Sequence, residues 1–477
     1  MAPPAPPPPV AAGVVLLVVV DQLPAWVLDG PVRGQLHDGL GRLIGKAAKT
    51  GTGRYAHVST YTCSGHSTLA TGASPAIHGI VNNRWLVSRS DAGPTECLEA
   101  ETGLLAPTLA AGVRSAGGSA YSLALKDRGA LPLGGGPEFS GALSCKDSVC
   151  SMVAAPGALA TVLATINAGT YLSRVWPMPP PDRTELWRGI ADLQPWEEPL
   201  DDGKDPAVFP HGGGASSPGG GDLLVDSALA VVESLKLGQG THRDLLAVSF
   251  SQIDLIGHAT TGKSWEYLDA LVALDASLGR LIDGLTARNY PVTVVLTADH
   301  GAVETPKGWL DVDQVGKVAT EAWTGCGGVG EVRYEQPFVY WPDGAGDRPC
   351  ALSRARTALS ALRDGEQPLV ADIVDTSAPS GPYASQVRET VFAARSGDAL
   401  VVLAEGAVLY RGTTDRRGTT HGTPHRYDTD VPFGAWGAGV TPGRLSDTVD
   451  QRRIAPTLAL LLGVPPPTGA SLPAIVL

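Results

Sequence analysis

Residues Val14 to Val20 form an unbroken apolar run that ends on a carboxylate, Asp21, and this arrangement of apolar run and polar tip recurs along the chain. Runs at 119–125, 245–250 and 292–297 have the length of strands, the last of them rich in β-branched residues, and two less regular ones lie at 399–404 and 431–438. Between them, stretches at 66–72, 106–116, 222–236, 264–286 and 453–462 carry apolar residues at helical spacing. In 264–286, Leu268, Leu271, Val272, Leu278, Leu281 and Ile282 make one stripe, which is read as core packing. Strands alternating with helices predict an α/β fold with a mainly parallel central sheet flanked by helices on both faces.

The pattern breaks between about 129 and 221, where Gly134-Gly-Gly136, a proline-rich 177–181 and a glycine-rich 212–221 intervene, and again from about 304 to 398. Loops this long inside a compact domain signal function or an inserted subdomain. The expected organisation is a flexible proline-rich leader over 1–12 and one catalytic domain over 13–477. Segments of about 129–221 and 304–420 are expected as insertions that roof the carboxyl edge of the sheet. The run Val10 to Val20 is shorter than the roughly 20 residues a membrane span needs, and no Lys or Arg precedes it. It is read as a strand, and a leader such as Ala2 to Pro9 is what often trails a removed signal peptide.

Composition narrows the field. With 477 residues, 43% hydrophobic and 18% charged, the chain is globular, and its 59 glycines and 39 prolines imply many loops. A formal net charge of −12 argues against nucleic acid as the main partner. Six cysteines without a CxxC pair permit disulfides and favour an oxidising compartment, periplasmic or secreted, with Cys145 and Cys150 the nearest partners.

The strand tips hold the chemistry. Asp21 follows the first run, Asp254 and His258 follow 245–250, and Asp299 and His300 follow 292–297. Distant strands of an α/β sheet bring their carboxyl ends to one edge, where ligands bind. DxxxH by itself serves structure far more often than metal, and so does an Asp-His pair. Adjacent ligands at a strand tip say more. His421, in a loop, adds an imidazole, with His425 as its rival. Thr62 opens a helix candidate, where backbone N–H groups favour negative charge; a simple N-cap would use the same position without chemistry.

Taken in register, Thr60-Tyr-Thr-x-x-Gly-His66, Pro75-Ala-Ile-His-Gly-Ile80, Val248-Ser-Phe-Ser-x-x-Asp-x-x-Gly-His258, Thr297-Ala-Asp-His-Gly301 and His421-Gly-Thr-Pro424 resemble the alkaline phosphatase superfamily. They are most similar to its threonine-nucleophile, phosphate-irrepressible branch, related to the nucleotide pyrophosphatase/phosphodiesterases. The resemblance runs from about residue 14 to 465 and includes Ile454-Ala-Pro-Thr-Leu458. It implies two zinc ions, one held by Asp254, His258 and His421, the other by Asp21, Asp299, His300 and Thr62, with Thr62 as nucleophile. Asp and His ligands suit zinc, without excluding manganese or iron. The resemblance further implies that Asn83, with Asn82 as its neighbour, touches a phosphoryl oxygen. Lys126 and Arg128 match the Lys-x-Arg of the monoesterases, where two cations favour a dianion.

The implied activity is hydrolysis of small phosphate monoesters through a phosphothreonine, releasing inorganic phosphate; the alternative is a phosphodiesterase with the same metal site. A non-catalytic metal or phosphate binder fits less well, because every position of the metal set is filled. A sulfatase fits least, because Cys63 lacks that branch's Cys-x-Pro-x-Arg context. The chain departs from the family where Leu131-Pro-Leu-Gly-Gly-Gly-Pro137 and the Cys145/Cys150 loop replace an aromatic-rich stretch, which leaves leaving-group preference open. Cys63 is expected to enter the core or a disulfide. His66 and His78 are expected to brace the nucleophile helix, and His37, His57, His211 and His242 to be surface or ordinary structural residues. Oligomeric state is left open, a monomer being compatible.

Overall fold

The computed structural model describes residues 12–86, 93–99, 103–147, 149–411 and 417–477, so the proline-rich leader before residue 12 lies outside the described residues. The centre is a ten-stranded sheet. Its order is Gly443–Arg444, Lys49–Arg54, Asp430–Gly437, Val292–Thr297, Gly13–Val20, Arg243–Phe250, Ala120–Ala124, Ser140–Lys146 and Val149–Val153, with Val449–Asp450 also pairing with Lys49–Arg54. From Val292–Thr297 to Ser140–Lys146 every neighbour is parallel. Asp430–Gly437 and Val149–Val153 run antiparallel to their neighbours. The expectation of a mainly parallel sheet therefore holds, with antiparallel strands toward both margins.

The first strand explains the layering. All eight residues of Gly13–Val20 are buried. Because side chains alternate across a sheet, Val14, Leu16, Val18 and Val20 enter one core with the helices Pro218–Ser234 and Trp265–Thr286. Val15, Leu17 and Val19 enter another, with Leu69, Leu109, Ile454 and Leu458 from the helices Thr62–Thr71, Leu109–Ser115 and Ile454–Leu462. Helices thus cover both faces, which is why the run is apolar without alternation.

The two irregular regions differ in character. Residues 129–221 begin with the helix Asp127–Gly134 and a hairpin whose strands extend the central sheet; Cys145 and Cys150 face each other in it and are bonded. The remainder carries only short helices, and lays Glu197 against Glu266 of the long helix. Glu197 is 3% exposed and accepts from the Gln194 N–H. Burial first, then the neighbouring Glu266 and Asp192 carboxylates, push its carboxyl up to about 9. A carboxyl whose folded pKa exceeds its unfolded value binds its proton more tightly when folded, so its stabilising contribution is complete below about pH 4 and lost as pH rises through about 9. Glu197→Gln is expected to remove that dependence: between pH 5 and 9 the Tm of the variant falls less than that of the wild type, and parallel curves from calorimetry would count against it.

Residues 304–420 hold a second, four-stranded antiparallel sheet ordered Arg333–Glu335, Phe338–Tyr340, Ala399–Leu403, Val370–Asp375. The run at 399–404 is therefore a strand of this sheet and takes no part in the central one. Val339, Val401 and Leu403 face a core with the helices Val312–Thr324 and Arg348–Ser360, which Cys326–Cys350 also joins. Phe338, Tyr340, Leu400 and Val402 face the opposite way, onto Val58, Cys63, Ile80, Val81 and Trp85 around the start of the helix Thr62–Thr71. Among the described residues no helix is long and apolar enough to cross a membrane.

Candidate active site

Four adjacent parallel strands end side by side, and each delivers chemistry at its carboxyl end. In sheet order these are Val292–Thr297 with Asp299 and His300, Gly13–Val20 with Asp21, Arg243–Phe250 with Asp254 and His258, and Ala120–Ala124 with Lys126. Val19 lies level with Thr297, Val20 with Phe250 and Ala124 with Ser249, so the tips arrive in line. Asp21, Asp254, Asp299, His300 and His421 are all buried.

The histidines are aimed by backbone carbonyls. His258 Nδ1 donates to the Thr419 carbonyl (2.8 Å), His300 Nδ1 to Gly301 (3.0 Å) and His421 Nδ1 to Thr60 (2.7 Å). A carbonyl only accepts, so Nδ1 carries the hydrogen in each ring and Nε2 presents the lone pair. Those Nε2 atoms face carboxylates: His258 stands 3.3 Å and His421 3.7 Å from Asp254 Oδ1, and His300 stands 3.5 Å from Asp21 Oδ1 and 3.3 Å from Asp299 Oδ2. The rings of His300 and His421 stack at 3.6 Å.

Two sets of atoms are close enough to share an ion: Asp21, Asp299 and His300, and Asp254, His300 and His421. His300 thus belongs to both by distance, while His258, half-exposed, approaches Asp254 from the side. Asp21 Oδ1, Asp254 Oδ1, Asp299 Oδ2 and His300 Nε2 are buried without a hydrogen-bond partner. Orphaned buried polar atoms are costly, and four in one oxygen and nitrogen cluster are the donor set that a divalent cation satisfies. Asp21, Asp254, Asp299, His300 and His421 fit a divalent metal ion, while His258 and Thr62 fall outside both sets.

Electrostatics point the same way. Burial, then the adjacent Asp299 carboxylate, raises the Asp21 carboxyl well above its usual range. Lys126 reaches into the cluster, its Nζ donating to Asp21 Oδ2 (3.2 Å) and to Asp254 Oδ2. Burial would lower its pKa, but the carboxylates of Asp21 and Asp254 outweigh that and raise it.

Thr62 is the first residue of its helix, with Tyr61 in the cap position, so its hydroxyl stands one residue past the position a capping side chain uses. His66 holds this turn: Nδ1 donates to the Thr62 carbonyl (2.8 Å) and stands 3.2 Å from Asp299 Oδ2, and Nε2 accepts from Ser249 Oγ (2.7 Å). The helix lies so close to the metal loop that a Cβ at Gly65 would stand 2.3 Å from the Asp299 carbonyl oxygen. His78 braces the same helix through Thr68 (3.2 Å). His57 is also buried there, burial holding it down at about 3, and neither it nor the buried His211 joins the cluster. His37 and His242 are exposed. His425 turns away to the Leu403 carbonyl (2.9 Å).

Asn83 accepts from the Cys63 N–H through Oδ1 (2.9 Å), whereas Asn82 donates to the Gln336 carbonyl. Arg128 is separate from Lys126, its Nη2 donating to Glu96 Oε2 (2.5 Å). Asn83 and Arg128 line a cavity of about 340 Å³ with Tyr61, Asn82, Arg84, Glu96, Glu335 and Gln336. Glu96 and Glu335 carry no sequence signal beyond the proximity of Glu96 to Cys97. That cysteine is bonded to Cys63, so the residue after Thr62 lies in a disulfide.

Known proteins are similar to this chain in sequence and in fold. The chain is 26% identical to the alkaline phosphatase PhoV of Synechococcus elongatus, covering 91% of this chain and 86% of that one. It is 28% identical to the alkaline phosphatase PhoK of a Sphingomonas species, covering 90% and 84%. The crystal structure of wild-type alkaline phosphatase PafA superposes with a TM-score of 0.85 at 21% identity, covering 98% of both chains, and shares the fold. The family model for type I phosphodiesterase / nucleotide pyrophosphatase matches residues 15–428. The chain belongs to the type I phosphodiesterase / nucleotide pyrophosphatase family of the alkaline phosphatase superfamily.

Proposed function

We propose that this protein hydrolyses phosphate monoesters through a phosphothreonine formed on Thr62. The observation that carries the reading is the buried, unpartnered donor set at the strand tips, set against the helix that Thr62 opens. Asp254, His258 and His421 would hold one zinc ion, and Asp21, Asp299, His300 and Thr62 the other. Bound there, two zinc ions supply Lewis acidity to the attacking and leaving oxygens. The Thr62 hydroxyl loses its proton to solvent at a helix N-terminus and attacks phosphorus as the bond to the leaving oxygen breaks, and the leaving oxygen takes a proton from water and departs as the alcohol. Asn83, Lys126 and Arg128 hold the non-bridging oxygens, where a monoester carries one more negative charge than a diester. Water then cleaves the phosphothreonine, restoring the hydroxyl and releasing inorganic phosphate. The segments 129–221 and 304–420 roof the site. The alkaline phosphatase names of the relatives support the same activity. Three disulfides support a periplasmic or secreted location.

Diester hydrolysis at the same metals is the second reading. It is favoured by the description of the family and by the carboxylates that already engage Lys126 and Arg128. Initial rates on p-nitrophenyl phosphate and bis-p-nitrophenyl phosphate separate the two, on zinc-loaded wild type and on Lys126→Ala/Arg128→Ala. The expected result is a monoester preference that falls by about a hundredfold in the double variant, two charged contacts at about 1.5 kcal/mol each. A diester preference, or no response to the double variant, would move the enzyme to the second reading.

A further inference from the structure

We propose that Glu96 is a positioning residue for Arg128, anchored by the Cys63–Cys97 disulfide; this deepens the monoesterase reading and rests on it. Arg128 has a long side chain that is 35% exposed, and fixing such a chain costs rotamer entropy. Among the described residues its side chain has one charged partner, Glu96, reached through Nη2 alone. A guanidinium has five N–H donors in a rigid fork, so a one-point contact orients the plane and leaves the other donors for a phosphoryl oxygen. With both side chains half-buried and open to solvent screening, the pair contributes modestly to stability. Orientation is the effect that remains.

The anchoring of Glu96 runs straight to the nucleophile. Glu96 lies in a two-residue strand, opposite Arg84 and next to Asn83 in space, and the Cys97 N–H donates to the Asn83 carbonyl (2.9 Å). Cys97 is bonded to Cys63, whose N–H donates to Asn83 Oδ1. Cys63 and Cys97 are both buried. Thr62, Asn83 and Arg128 are thereby tied into one ring: Thr62 through its neighbour Cys63, Asn83 through both cysteine amides, Arg128 through Glu96. Of the four groups proposed to meet the phosphate, all but Lys126 are tied together by one disulfide, two hydrogen bonds from the cysteine amides and the Glu96–Arg128 contact.

The test is a double-mutant cycle read on both esters. In Glu96→Ala, kcat/KM for p-nitrophenyl phosphate is expected to fall about tenfold, with the diester within about twofold of wild type, because Arg128 acts on the extra monoester charge. Glu96→Gln, which keeps an acceptor oxygen, is expected to recover most of the loss. In an Arg128→Ala background, Glu96→Ala is expected to add nothing. Equal losses on both esters, a faster monoester rate, or additive effects would each overturn the inference. An Arg128→Ala variant with normal monoester turnover would remove the monoesterase reading, and this inference with it. Loss in Arg128→Ala without loss in Glu96→Ala would overturn this inference alone.

Discussion

Thr62→Ala is expected to stop turnover while leaving the protein folded. The substitution deletes the hydroxyl proposed to attack phosphorus, and no neighbouring side chain supplies a replacement: Ser64 is bonded to the Ser59 and Tyr61 carbonyls on the inner side of the turn, and Cys63 is in a disulfide. Removing a nucleophile costs on the order of 10⁴-fold or more in kcat when the rest of the site stays in place. Stability is a different matter. Thr62 is the first helical residue, Ala is at least as good a helix former, and only a small side chain is lost, so Tm is expected to move by no more than a few degrees. Inorganic phosphate is expected still to bind in calorimetry, since Asn83, Lys126 and Arg128 remain. Acid quenching of wild type with substrate should leave a phosphoryl group on the peptide that contains Thr62. Turnover within tenfold of wild type, or a phosphoryl group elsewhere, would sink the mechanism.

Asp299→Asn is expected to have the second largest effect, on activity and on metal content together. Asp299 Oδ1 accepts from the N–H groups of Gln22 (3.2 Å) and His300 (3.0 Å), an acceptor role that an amide oxygen keeps. Its Oδ2 is one of the orphaned atoms of the cluster, and there the amide presents N–H donors where a cation needs a lone pair. Loss of one ion removes several kcal/mol of transition-state stabilisation, about a thousandfold or more in rate. Without metal, burial would raise the Asp299 carboxyl, but the His300 and His66 imidazoles still hold it well below its usual range, so it stands ionised and ready to take a cation. The variant should therefore hold one equivalent of metal fewer by elemental analysis. An unchanged metal content with near-normal turnover would show that Asp299 is not a metal ligand.

The sheet was legible because its strands are long enough to be seen. Val292–Thr297 has the bounds that its apolar run suggests, and Gly13–Val20 and Arg243–Phe250 extend theirs by one and two residues at the start. Polar residues chosen at those tips do meet in space, because parallel neighbours end at one edge. Less was legible in 304–420. The strands of its four-stranded sheet are three to six residues long, and Ala399–Leu403 has the same all-buried character as a central strand. Apolar pattern reports coverage on two faces, and the small sheet is covered on two faces as well. Glu96 was invisible for another reason. Its position is fixed by a disulfide that spans 34 residues and by pairing with Arg84, neither of which leaves a periodic trace. His57 and His211 needed the structure too, since burial of an isolated histidine has no signature along a chain.

The apolar first strand has one more implication. In a strand with one wet face, sliding by a single residue exposes hydrophobic groups, and the error is punished at once. Gly13–Val20 is covered on both sides, so a slip would leave the same valines and leucines buried and cost far less. What distinguishes the correct alignment is its polar end: one residue of slip carries Asp21 about 3.3 Å away from Asp254, Asp299 and His300. Molecules with that error would be compact, helical and inactive. In refolded preparations, metal uptake per folded chain would then count correctly aligned strands, a quantity that circular dichroism cannot see.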